Sequence, residues 1–325
     1  MTSTKATQKG FTIIELLTVL SIIIIIISIL VPGLNRARVY AKKATQKSQF
    51  HEISKGLELF RNDHQETYPD SGAVDTNATP AGYCGAMRLC EAMLGQDGMG
   101  FHPSSTFQAK TSVYLFNLGI PIDSATISST PALMANLRER TKYIDSEGVK
   151  AAQLKALYSW YDTSATGTNY YSPTASFKTT VDATPPNPSS YPNSVITDVY
   201  LRTPSRSGGK KLGMPVLYYK ADPTKLTHDP AFDPTAYGGT TTPNPSIYNF
   251  DDNYAITGLG CPWESTQTTA QPMYGTANVR IFYKAITNAK VTATPRPHNE
   301  DGYILLSAGY DNLYGTSDDV YNFSD

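Results

Sequence analysis

Charge is scarce in this sequence. Asp, Glu, Lys and Arg make up 17% of its 325 residues and nearly cancel, leaving a formal net charge of −1. That balance gives no basic field for nucleic acid and no acidic excess. Cysteine is scarcer still, with only Cys84, Cys90 and Cys261. If the domain lies outside the cytoplasm, Cys84 and Cys90 could close a short loop. Cys261 could equally take either one, and no disulfide at all is the other reading. Five histidines, His51, His64, His102, His228 and His298, are scattered without metal-type spacing. HExxH, GxSxG, a Walker loop and CxxC are all missing, which argues against an enzyme. Ser207-Gly208-Gly209-Lys210 nominally fits SxxK, but it lies in a Gly/Ser loop where that motif needs a helix start. Asp222 and Asp251-Asp252 read as turn formers rather than a carboxylate pair. The aromatics Trp160, Tyr161, Tyr170, Tyr171, Tyr218 and Tyr219 suit core and strand packing better than a carbohydrate-binding face.

Strong hydrophobicity is confined to one place. The mean hydropathy of −0.31 conceals a polar N-terminus, MTSTKATQKG, followed by a continuous apolar run from Phe11 to Val31. As a helix rising about 1.5 Å per residue, that run spans about 30 Å of hydrocarbon. No small-x-small cleavage site follows it, and it is long for a secretory signal peptide. A plain signal anchor fits its length and hydropathy but leaves Glu15 unexplained. A carboxylate this near the start of an apolar helix costs a few kcal/mol unless it finds a partner or is neutralised. Cleavage between Gly10 and Phe11 would create an α-amino group four positions from Glu15. Between helices stacked with an axial offset, that amine and the Glu15 carboxylate of a neighbour would pair and set the register.

The stretch Lys9-Gly10-Phe11-Thr12-Ile13-Ile14-Glu15-Leu16-Leu17 resembles the class III signal of type IV pilins and type II secretion pseudopilins. The resemblance implies that a prepilin peptidase cuts after Gly10 and methylates Phe11, and that Glu15 becomes the fifth mature residue. Pro32 then falls where the family often carries a helix-kinking proline. It also implies a cytoplasmic leader (residues 1–10) and a single-pass inner-membrane span (11–31). A stalk helix (32–64) and a periplasmic head (65–325) follow. Arg36, Arg38, Lys42, Lys43 and Lys47 follow the span, so a positive-inside count alone gives the opposite orientation. Long exported domains often cross regardless of flanking charge. The basic cluster suits a solvated helix face, anionic lipid head groups, or acids on neighbouring subunits.

Beyond Pro32, Leu34, Ala37, Ala41, Ala44, Phe50, Ile53, Leu57 and Phe60 keep helical spacing, and Tyr68-Pro69-Asp70-Ser71-Gly72 is turn chemistry, so the helix should end near Asp63-His64. A helix from Phe11 to Asp63 would measure about 80 Å, more than a globular domain needs and suited to a filament. In the head, residues 81–94, 129–140 and 151–160 read as helices. Residues 199–201, 214–219, 279–284 and 303–307 read as strands, and 163–194 and 222–246 as Ser/Thr/Pro/Gly-rich loop. The fold class is thus α+β. A long N-terminal helix, its first half transmembrane, packs on a small antiparallel sheet with a large loop-rich insert, an order the pilin resemblance also implies.

The chain ends SAGYDNLYGTSDDVYNFSD. Asp311, Asp318 and Asp319 on a turn-rich backbone offer hard oxygen ligands of the kind Ca²⁺ takes, without the spacing of an EF-hand; an ordinary solvated acidic loop is the alternative. This segment resembles the C-terminal loop of G-type (major) pseudopilins, which implies calcium held across residues 307–320 by Ser307, Asp311, Asp318 and Asp319. The expected function is a structural subunit of a type II secretion pseudopilus. Its partners would be copies of itself, other pseudopilins, prepilin peptidase, the inner-membrane assembly platform and membrane lipid. A type IV pilus subunit is one alternative, and a membrane-anchored binding or enzymatic domain exported with a prepilin signal is another.

Overall fold

A computed structural model of the chain describes residues 12–72, 84–95, 98, 100, 140–145, 148–158, 194–204, 209–232, 245–263, 271–274 and 278–323. The leader, Gly10, Phe11, Ser207, the expected helix at 129–139 and most of the 163–194 loop lie outside the described residues. The chain divides into two compact units, Met1–Ala44 and Thr45–Asp325.

Helix α1 runs Ile13–Asp63 with Pro32 inside it, ending where the turn chemistry after Asp63 placed its end. Proline removes one i→i−4 hydrogen bond, yet the helix continues through it. In the first unit the large apolar side chains from Ile13 to Val31 are exposed. This stretch is long and apolar enough to cross a membrane, with a mean hydropathy of 3.0 over its most apolar window.

Among the described residues the second unit is built on two antiparallel sheets. Strands β1 (Ala151–Gln153) and β2 (Ser194–Ile196) pair as one. Strands β3 (Leu217–Lys220), β4 (Tyr303–Ser307) and β5 (Val320–Tyr321) form the other, in the order β3-β4-β5. The larger sheet is buried on both faces, and its residues alternate between them. Tyr218, Leu305 and Val320 pack with Phe50, Ile53, Leu57 and Phe60 of α1 and with Leu89, Cys90 and Met93 of α2 (Gly85–Leu94). Leu217, Tyr219, Ile304 and Leu306 pack on the other side with Val279, Phe282 and Tyr283 of a later helix. Side chains from Thr45 onward also clamp the loop after β2. Gln49 donates to the Thr197 carbonyl (2.8 Å), and Gln46 accepts from the Val199 amide (3.0 Å).

Several expectations change. Residues 279–284 form a helix, Val279–Ala285, and not a strand. Val279, Phe282, Tyr283 and Ile286 are buried at helical spacing, and a short apolar run does not declare its period until the surface it packs against is known. Residues 151–157 split into β1 and the single turn α3 (Leu154–Leu157). A 3₁₀ turn at Phe250–Asn253 leads into the short helix α4 (Tyr254–Thr257), so Val279–Ala285 is α5. Around 199–201 there is no strand, only isolated bridges from Thr197 to Pro215 and from Arg202 to Leu212. The expected strand at 214–219 narrows to β3. Finally, Cys84, Cys90 and Cys261 are buried free thiols, so no Cys84–Cys90 disulfide forms. Cys84 precedes α2 and packs in one core cluster, while Cys90 lies within α2 and packs in the other. A helical turn and a half between them turns the two side chains apart.

Candidate functional site

Two places carry polar chemistry the fold does not need for packing alone. The first is the start of α1. The Thr12 amide and hydroxyl both donate to Oε2 of Glu15, at 2.8 and 2.7 Å, and the Glu15 amide donates back to the Thr12 hydroxyl at 3.3 Å. This is a capping box, Thr-x-x-Glu, which satisfies amide donors that every helix N-terminus leaves open. Glu15 therefore has a local partner that the apolar pattern concealed, although S/T-x-x-E at a helix start was legible in the sequence. The carboxylate bends back onto Thr12.

The second place is the connection from β4 to β5, residues 308–319. Its base is set by Asp198, which is 1% exposed and fully engaged. Oδ1 accepts from the Tyr200 and Met214 amides (both 3.1 Å), and Oδ2 accepts the Ser307 hydroxyl (2.8 Å). Ser307 also receives the Gly309 amide at 3.4 Å. Its hydroxyl thus ties the end of β4 to the 198–200 loop. Nothing in the sequence pointed to Asp198, because its three partners are brought together only by the fold. Gly309 has φ +67°, and a Cβ there would meet the Asp318 carbonyl at 2.3 Å, so the loop is closed by a glycine that no other residue replaces without strain.

Within the loop the three aspartates take different roles. Asp318 accepts the Asp311 amide (2.9 Å) on Oδ2 and the Thr316 hydroxyl (2.6 Å) on Oδ1. Asp311 accepts the Leu313 amide at 2.8 Å, and Asp319 accepts the Gly315 amide at 2.8 Å on Oδ2. Oδ1 of Asp319 is buried and accepts no hydrogen bond. Burial, with the like charges of Asp318 and Asp311 nearby, pushes the Asp319 carboxyl up to about 8. Burial also raises Asp311, whereas hydrogen bonds to Thr316 and to the Asp311 and Tyr310 amides outweigh burial and hold Asp318 low. An orphaned buried oxygen beside two more carboxylates fits a cation. The aspartates do not by themselves complete a cage: among the described residues no three Asp, Glu, His or Cys side chains are grouped to hold a metal ion. Any calcium here would draw further oxygens from backbone carbonyls and water.

No family model, curated protein or solved structure matches the chain.

Proposed function

We propose that this chain is a prepilin-type structural subunit of a type II secretion pseudopilus. In this reading prepilin peptidase cuts after Gly10. The apolar half of α1 holds the subunit in the inner membrane and then packs with copies of itself and other pseudopilins on the assembly platform. The observation that carries the proposal is an exposed apolar helix whose one acidic residue, Glu15, stands in its first turn. The bare apolar side chains from Ile13 to Val31 need either lipid or neighbouring helices, and the Thr12 cap satisfies hydrogen bonds of Glu15 without neutralising its charge. The same N-terminal chemistry serves a type IV pilus subunit. The acidic β4–β5 loop, with its resemblance to major pseudopilins, favours the pseudopilus.

Calcium belongs to the proposal. Asp311, Asp318 and Asp319 would hold the ion, and Ser307, whose hydroxyl donates to Asp198, would anchor the end of β4 beside it or lend its remaining lone pair. The ion would neutralise three crowded carboxylates and stiffen the connection between β4 and β5.

Glu15→Gln tests the assembly role. Glutamine preserves the capping box but removes the charge, so helix formation is retained while pairing with the Phe11 amine is lost. We expect Glu15→Gln to insert in the membrane and to enter sheared filaments at least tenfold less than the unaltered chain. Incorporation at the unaltered level would leave Glu15 as a helix cap and end its role in register.

A further inference from the structure

A cleft of about 550 Å³ opens on the second unit, remote in sequence from the acidic β4–β5 loop, and is lined among others by Asp70, Ser71, Lys220, Asp222, Ser246 and Asp252. Asp252, at the 3₁₀ turn, is 5% exposed. The Ser71 hydroxyl donates to its Oδ2 and in turn accepts the Lys220 amide at 2.9 Å. That pair locks the turn after α1 onto the end of β3. Among the described residues Oδ1 of Asp252 accepts no hydrogen bond and is not fully buried, and the residue lines the cleft.

The cleft is lined by Lys220 and Lys225 as well as by its three aspartates, and the cations are committed unevenly. Asp70 is paired with Arg88 at 2.9 Å. Asp222 is held low by the Thr224 hydroxyl and amide and by the Lys225 and Lys220 ammonium groups. Among the described residues Asp252 has neither a salt-bridge partner nor a second side-chain hydrogen bond. Burial, with Asp70 and Asp251 nearby and only partly offset by Ser71 and the Arg88 charge, pushes its carboxyl up to about 7. A buried carboxylate left in that state is costly unless a cation or a donor joins it. A metal ion is a poor match, since no three ligating side chains are grouped among the described residues. An organic ammonium fits better: it brings three donors on a compact charge, and the cleft has room for a chain as long as a lysine side chain.

We propose that this cleft binds an organic ammonium group, seated with its charge on Oδ1 of Asp252. The group could be carried by a free small amine or by a lysine of a peptide, and the chemistry at Asp252 is the same. The head would then be a recognition surface as well as a structural part, independently of whether the chain forms a pseudopilus.

The test is calorimetric titration of the full chain in detergent micelles with Nα-acetyl-lysine N-methylamide, its neutral norleucine counterpart, and n-butylammonium. The expected result is saturable binding of the lysine compound with a dissociation constant below about 1 mM, no saturation by the norleucine compound, and at least tenfold weaker binding to Asp252→Asn. Asp252→Asn should melt no lower than the unaltered protein, because it keeps the acceptor for Ser71 and removes the uncompensated charge. Butylammonium binding as tightly as blocked lysine would identify a free amine as the ligand. Clearly weaker binding would identify a peptide lysine. Equal binding of norleucine, unchanged binding to Asp252→Asn, or no saturation by either ammonium compound up to about 10 mM would overturn the site. If Asp252→Asn does not fold, the lysine–norleucine comparison on the unaltered chain decides.

Discussion

His228 is 6% exposed, and its tautomer follows from its neighbours. The Thr287 hydroxyl donates to the Tyr283 carbonyl at 2.7 Å, so Nε2 of His228 carries the proton shared with Thr287 at 2.8 Å. Nδ1 is then a buried acceptor without a partner. Burial holds the imidazole below its usual range, against the opposing charge of Asp229. A depressed histidine favours the neutral form in the folded state. Its contribution is therefore complete above the unfolded value of about 6.5 and is lost as pH falls below it. We expect His228→Gln, which keeps a donor for Thr287, to match the unaltered chain's urea midpoint above about pH 6.5 and to exceed it increasingly as pH falls below that value. Asp252 works in the opposite direction. Raised to about 7, it stabilises at low pH and loses that contribution as pH rises through about 7, so the comparison with His228→Gln isolates the histidine. None of this was legible in the sequence. His228 was one of five scattered histidines, and Asp252 read as a turn former. Both acquire their chemistry from segments far along the chain: Thr287 for one, Ser71 for the other. By contrast Thr12-x-x-Glu15 is local, and its capping geometry follows from four consecutive residues.

At the scale of elements, legibility tracked how much of an element's character is local. The extent of α1 could be read because its apolar run, its stripe and the Tyr68-Pro69 turn all lie within one continuous stretch. Strand β4 matched its expected bounds because the apolar run Tyr303–Leu306, buried on both faces of the sheet, has one plain reading. Helix α5 was misread because Val279-Arg280-Ile281-Phe282-Tyr283-Lys284 satisfies either period, and only packing on Tyr219 and Phe250 selects the helix. The contact of α1 with the rest of its unit also has a sharp test. A Cβ at Gly56 would stand 2.7 Å from Cγ1 of Ile144 and 3.0 Å from the Tyr143 carbonyl. Gly56→Ala gains helix propensity but overpacks that contact, and the clash dominates. We expect a net loss of about 1–3 kcal/mol by urea denaturation. A gain in stability would mean that the 143–144 segment yields to α1 without cost.

For the whole molecule, the broad class could be read and the head could not. A long apolar helix followed by small antiparallel sheets is what the N-terminal pattern and the late strands foretold. The architecture between residues 84 and 260 depended on long-range partners that composition does not encode. The proposed calcium adds a property of the intact chain. If Asp311, Asp318 and Asp319 hold the ion, millimolar EDTA should lower the melting temperature by several degrees and added Ca²⁺ should restore it. Asp319→Asn should abolish the response to both. A melting curve indifferent to EDTA would remove the ion and leave Asp319 as a buried, protonated acid.

The central claim is that the mature protein begins at Phe11, whose new amine is the partner proposed for Glu15 of a neighbouring subunit. Intact-mass and N-terminal peptide mass spectrometry of the chain recovered from membranes that contain prepilin peptidase tests it directly. The account predicts a single mature species starting at methylated Phe11. A chain that keeps Met1-to-Gly10, or is cut anywhere else, would contradict it.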